Sequence, residues 1–298
     1  MIASDETLRA RSTEYMKKAY LETSAIDQAE RSGLSGANLS SRLRCLGFSP
    51  AIGIHTIYEL AATFLSPGQE TKAAALFSIV RDLDPAYQRP SGSLLQEEVL
   101  KLRTGAAVFP FLDHLGHASA RTEVGRLAFG IFDERAGQFI SERESKIRVE
   151  FPNKAADYLQ HIVNTQTQKS VPRIRTFQAA YKYFESQGQL PQLIRGALHN
   201  RVTESEAREL ATRLDAFPAV RSLVRANIYI SFIFIANVCK PNDDKIDDYR
   251  HIIEASYCDA FITGDKQLLK TVQVIGPHLN PLPADSVLKS AERSVNSA

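Results

Sequence analysis

Short runs of consecutive apolar residues near both ends of the chain give way, over its long middle, to apolar positions that recur every three or four residues. Ala19, Tyr20 and Leu21, closing on Glu22, predict a short buried strand that turns into a helix through Thr23 and Ser24. A second strand is predicted over 51–55, after Pro50. From Thr56, the positions Ile57, Leu60, Ala61, Phe64 and Leu65 make one helical face, with Thr56 as N-cap and Glu59 in capping-box spacing. Between 68 and 239 the periodicity is helical, with pieces over 71–83, 94–103, 155–164, 175–187 and 204–217, the last opened by Thr203 with Glu206 in capping-box register. Near the C-terminus a helix over 245–257, a buried strand over 260–263 ended by Gly264 and Asp265, a helix beginning at 266–270 and a last strand over 272–275 follow. Strands and helices alternating at both ends predict an α/β fold. The expected architecture is a three-layer α/β/α domain with a central parallel sheet, built from 1–67 and 240–298, and interrupted by a large all-α insertion at 68–239.

Composition narrows this reading without redirecting it. With 44% hydrophobic residues in 298, the chain can bury a large core. The first twenty residues carry seven charges and no apolar h-region, and the most apolar stretch, 228–239, is too short for a bilayer, so a cytoplasmic protein without membrane contact is expected. Cys45, Cys239 and Cys258 are odd in number and widely spaced, which fits reduced thiols. The net charge of +2 conceals two opposed segments. Residues 146–201 hold nine basic side chains against three acidic ones, whereas 242–265 hold seven acidic against two basic.

In a parallel α/β sheet, ligands gather outside the carboxyl ends of the strands. Glu22 and Asp265 follow strands directly, Glu59 falls in the helix after the second strand and Asp248 in the helix before the 260–263 strand, so the four carboxylates are expected at one edge. Such a cluster repels itself unless cations neutralise it, and oxygen ligands select hard ions, Mg²⁺ or Mn²⁺. Taken singly, each acid has a plainer role. Glu59, Asp247 and Asp248 suit helix starts, and Asp265 suits the N-cap of the helix at 266. His251 reads as a helix-surface or supporting residue and not as a ligand of a hard ion. Arg173, Arg175 and Lys182, among Phe177, Tyr181, Tyr183 and Phe184, can bind phosphates and stack bases, or equally form an ordinary amphipathic helix.

Three segments together resemble the PIN domains: AYLETSAI at 19–26, TIYELAAT at 56–63, and DYRHIIEASYCDAFITGD at 248–265. The last is the most specific, with an Asp, a His three residues on, and a strand closing on Thr-x-Asp. The resemblance implies that Glu22, Glu59, Asp248 and Asp265 hold Mg²⁺ or Mn²⁺, that Ser24 and Thr263 are supporting hydroxyls near the substrate, and that the chain is an endonuclease acting through metal-activated water. Asp248 is preferred over Asp247 because Asp248 and His251 reproduce the family spacing. The implied partner is nucleic acid, RNA ahead of single-stranded DNA, with a protein inhibitor or antitoxin and a homo-oligomer as further expectations. Glu22 stands where Asp is commoner, and the insertion of about 170 residues exceeds what compact PIN domains carry. A non-catalytic module that binds nucleic acid or protein through its insertion is the main alternative. A phosphatase is disfavoured, because no P-loop is present.

Overall fold

The computed structural model describes residues 16–145, 174–235 and 243–289. Five strands, β1 (Lys17–Leu21), β2 (Phe48–Gly53), β3 (Ala86–Gln88), β4 (Ala260–Thr263) and β5 (Asn280–Pro283), form one parallel sheet in the order β3-β2-β1-β4-β5. The period of two along β1 sorts its side chains between two layers. Ala19 and Leu21 face a core built with α1 (Thr23–Arg31), α2 (Gly36–Cys45), α4 (Glu70–Leu83) and α6 (His114–Ala128). Tyr20, between them, faces the opposite core with α10 (Pro218–Ile235), α11 (Asp243–Glu254) and α12 (Lys266–Ile275). Both faces of the sheet are thus covered, the condition under which an all-parallel sheet is stable. No described helix is long and apolar enough to cross a membrane.

The remaining helices are α3 (Ile54–Ala62), α5 (Ser91–Thr104), α7 (Phe177–Ser186), α8 (Leu190–Ala197), α9 (Glu204–Thr212) and α13 (Ala284–Lys289), together with a helical stretch over 134–145. α7, α8, α9 and α10 bury a core of their own around Ala180, Ile194, Leu210 and Val224, which is the helical insertion the periodicity predicts. The predicted helix at 155–164 lies outside the described residues. Thr203 and Glu206 form the expected capping box of α9.

Several local expectations change. α3 begins at Ile54, two residues ahead of Thr56, so Gly53 is its N-cap and Glu59 lies in its second turn instead of capping it. Thr56 is wholly buried, and its hydroxyl is engaged in tertiary contacts. Pro50 lies inside β2 opposite Ala19, where β2 has a neighbour on one side only, because β3 pairs with Ala51, Ile52 and Gly53 alone. β3 itself falls within the stretch expected to be all-helical, and three residues are too few to carry an alternation. The segment 272–275 is helical: Leu268, Thr271, Val272 and Ile275 recur at helical spacing and bury one face of α12. The last strand is β5 in the Pro-rich tail, tolerated because it is an edge strand.

Candidate metal centre at the carboxyl edge of the sheet

Glu22 leaves β1 and becomes the N-cap of α1; its backbone N–H still reaches Ile262 O across the sheet at 3.0 Å. Its carboxylate is 7% exposed. Oε1 accepts from Ser24 N at 3.0 Å, and Oε2 accepts from Thr263 Oγ1 at 2.7 Å and from Ser24 Oγ. Ser24 Oγ in turn accepts from Gly264 N at 2.8 Å. Ser24 and Thr263 therefore hold Glu22 and tie β1 to β4, with their hydroxyl protons spent on the carboxylate.

Asp265 follows β4 and caps α12, with Oδ1 accepting from Gln267 N at 2.6 Å and Leu268 N at 3.1 Å. The capping role foreseen for it is real, and it fixes the side chain at the same edge as Glu22. Asp248, half-buried on α11, connects the set. Burial pushes its carboxyl up to about 7, and the negative charges of Glu22, Asp265 and Glu59 add to this against the opposing pull of His251. Asp248 is thus within electrostatic reach of the other three sequence-predicted acids, but among the described residues the ligand atoms that close to within 4.8 Å of one another belong to His55, Glu59 and His251 and not to the four carboxylates. The side chain of Asp247, the rival to Asp248, lies outside the described residues.

Glu59 is more heavily engaged. Its Oε2 accepts from Thr23 Oγ1 and lies 2.8 Å from His251 Nε2. His55 Nε2 approaches Oε1 to 3.4 Å. Burial alone would raise the Glu59 carboxyl, but the charge and hydrogen bond of His251, with help from His55 and Thr23, bring it down to about 2. For His251, burial acts against the charged form, and the charge and hydrogen bond of Glu59, followed by Glu22 and Glu254, raise it to about 9. His251 is 1% exposed and is a buried partner of Glu59, so the helix-surface alternative does not apply.

Behind His251 stands a network with no counterpart in the sequence reading. Tyr20 Oη lies 2.8 Å from His251 Nδ1, 3.2 Å from Thr56 Oγ1 and 3.3 Å from Glu254 Oε2. Glu254 is buried and also accepts from His55 N and Ser91 N, each at 3.3 Å, at the N-termini of α3 and α5. Burial raises its carboxyl to about 7, with His251 and these hydrogen bonds opposing. Gly53 is required here: a Cβ would stand 1.9 Å from Glu254 Oε2 and 2.4 Å from Tyr20 Oη. His55, Tyr20 and Glu254 were legible only as spacings, His55 four residues before Glu59 and Glu254 three after His251.

Of the basic residues, Arg175 and Lys182 belong to the insertion. Arg175 is exposed ahead of α7 and Lys182 is exposed on it, while Arg173 is outside the described residues. Phe177 is buried, and Tyr181, Tyr183 and Phe184 pack against the insertion core, so the aromatic rings serve packing and the amphipathic-helix alternative describes α7. Arg225 lies over the rings of Phe177 and Tyr181, at 5.0 and 5.1 Å. A groove of about 450 Å³ lined by Leu112, Asp113, His114 and His117 contains none of the four candidate acids Glu22, Glu59, Asp248 and Asp265.

No protein-family model, no curated protein and no solved structure matches this chain. Fold and site on their own define a parallel α/β protein with a helical insertion and with Glu22 and Asp265 at the carboxyl ends of two adjacent strands.

Proposed function

We propose that the protein is a divalent-cation-dependent nuclease of PIN-like type, hydrolysing phosphodiester bonds of nucleic acid, RNA ahead of single-stranded DNA. The observation that carries this reading is the joining of two acids at adjacent strand ends, where Thr263 Oγ1 donates to Glu22 Oε2 at 2.7 Å and accepts from Asp265 N at 3.0 Å; burial, with the charges of Glu22, Asp265 and Glu59, pushes the Asp248 carboxyl up to about 7. Like charges bearing on a buried carboxyl fit neutralisation by a hard cation, which would be held by Glu22, Asp248, Asp265 and the exposed part of Glu59. A bound Mg²⁺ or Mn²⁺ supplies Lewis acidity and lowers the pKa of water for attack at phosphorus. The chain supplies position. Ser24 and Thr263 fix Glu22, the N-terminus of α12 fixes Asp265, and His251 and Thr23 fix Glu59. The basic residues Arg173, Arg175 and Lys182 are assigned to the nucleic-acid backbone.

The test is cleavage of labelled single-stranded RNA and DNA with Mg²⁺ or Mn²⁺, by wild type, Asp265→Asn and Glu22→Gln, with EDTA as control. Cation-dependent cutting that falls at least about 100-fold in both variants is expected. No cutting by folded wild type on either polymer would overturn the reading. One observation favours a second reading, a binding module without catalysis: protein donors already occupy Glu59. That reading wins if the wild type retains RNA in a polarisation assay without cutting it.

A further inference from the structure

Beside the carboxylates, His55, Glu59 and His251 bring three metal-type ligand atoms within 4.8 Å of one another. His55 and Glu59 lie four residues apart on α3, so both side chains leave one helical face, and His251 approaches from α11. Nε2 of His251 is 2.8 Å from Glu59 Oε2, and Nε2 of His55 is 3.4 Å from Glu59 Oε1. Donors placed about 2.1 Å from one ion at octahedral or tetrahedral angles are themselves about 3.0–3.4 Å apart, so each imidazole already stands near chelate spacing from a Glu59 oxygen, and the three ends close on one ion by moving inward from within 4.8 Å. Both imidazoles are almost completely buried, and their ring centroids are 4.6 Å apart. His251 also has the outer partner that metal-bound imidazoles use: Nδ1 meets Tyr20 Oη, which meets Glu254 in turn.

We propose that His55, Glu59 and His251 form a mixed nitrogen–oxygen cation site for a first-row transition ion of the Zn²⁺ type, selective against Mg²⁺. Two imidazoles and a carboxylate are a donor set that Zn²⁺ accepts and that hard Mg²⁺, which prefers oxygen and water, does not. The site goes beyond the nuclease reading and does not depend on it. Glu59 is common to both, but the nitrogen site uses neither Asp248 nor Asp265.

Arg143, in the helical stretch 134–145, opposes loading. Its guanidinium donates to Nδ1 of His55 and lies over the Tyr58 ring at 5.0 Å. Arginine has no acceptor, so in the ion-free chain the His55 proton sits on Nε2, the side of Glu59. Ligation through Nε2 moves that proton to Nδ1 and ends the Arg143 contact. Removing Arg143 therefore removes both a competing hydrogen bond and a like charge.

The full-length protein, stripped with EDTA, is titrated with Zn²⁺ by calorimetry and with Co²⁺ by visible absorption, after circular dichroism has established that each variant is folded. One Zn²⁺ per chain is expected, with Mg²⁺ failing to displace it and Co²⁺ giving the ligand-field bands of a nitrogen-ligated ion. His55→Gln and His251→Gln are expected to weaken Zn²⁺ binding about 100-fold or more, Asp265→Asn to leave it unchanged, and Arg143→Ala to tighten it about tenfold. Zn²⁺ bound equally by the histidine variants, or not bound by wild type, overturns the proposal and leaves an internal ion pair only. Should the histidine variants not fold, Arg143→Ala decides: unchanged or weaker binding overturns the site. Because Asp265→Asn removes the nuclease centre and spares the nitrogen site, failure of either reading is separable from failure of the other.

Discussion

At the residue scale, the four acids differ in how their charge is met. Glu22 is held by two hydroxyls and a backbone N–H, Glu59 by a hydroxyl and an imidazolium, and Asp265 by a helix terminus, whereas Asp248 is governed by burial, with the attraction of His251 opposed by the like charges of Glu22, Asp265 and Glu59. A carboxyl raised to about 7 from an ordinary 3.8 binds its proton more tightly in the folded than in the unfolded chain. Its contribution to stability therefore falls as pH rises through that window, and its ionised form is a burden above it. Asp248→Asn is expected to stabilise the EDTA-treated protein by about 1–3 kcal/mol at pH 8, with the gain reduced to about half or less at pH 5 and vanishing only as pH falls below the ordinary 3.8. Urea denaturation at the two pH values measures this, and a gain that is equal at both would contradict it. Mg²⁺ or Mn²⁺ should narrow the difference by stabilising the wild type alone.

At the scale of elements, buried acids at helix N-termini fasten the insertion to the sheet domain. Glu98 on α5 is wholly buried and accepts from Ala219 N at 2.8 Å and Val220 N at 2.7 Å, the first turn of α10, and from Tyr257 Oη at 2.6 Å. Burial raises this carboxyl, while the Tyr257 and backbone hydrogen bonds favour its charged form. Glu98→Ala orphans two amides and a phenol in a dry site and is expected to cost about 2–4 kcal/mol in thermal or urea unfolding; Glu98→Gln, which keeps an acceptor, should cost less. A neutral effect of Glu98→Ala would show that water replaces the carboxylate. Most elements were readable from their pattern because α4, α5 and α9 bury one regular face each and β4 is a short run buried on both faces. Elements that escaped did so for identifiable reasons. β3 is three residues long, β5 is half proline, and the alternating look of 272–275 is the end of the α12 face.

At the scale of the molecule, the insertion and the sheet share their interior. Ala226 of α10 belongs to the core that holds Tyr20 and Phe261, and Val274 of α12 packs against the insertion core. Arg225 Nε donates to Val274 O at 2.8 Å across the same boundary. With a common apolar interior, separate melting would expose the buried faces of α10, α11 and α12 to water. The protein is expected to unfold in a single transition, with far-ultraviolet dichroism and the tyrosine near-ultraviolet signal coincident; no tryptophan overlaps the ten tyrosines. Two resolved transitions would show that the helical part holds its structure independently.

The sequence by itself determined what is local: a carboxylate immediately after β1, another immediately after β4, the helical character of the middle and the parallel α/β character of the ends. Those features depend on residues two to four positions apart, whose spacing dictates which face is buried. Only the tertiary structure decided which side chains answer one another, because Glu59 and His251 are 192 residues apart, and Glu22 and Thr263 are 241 apart. Sheet order brought β1 between β2 and β4, and with that came the burial that turns His251 from a residue of an acidic helix into the partner of Glu59. Close approach at Gly53 admitted Glu254 and Tyr20 behind it. Charge and burial are properties of a place in the fold, and no spacing along the chain encodes them.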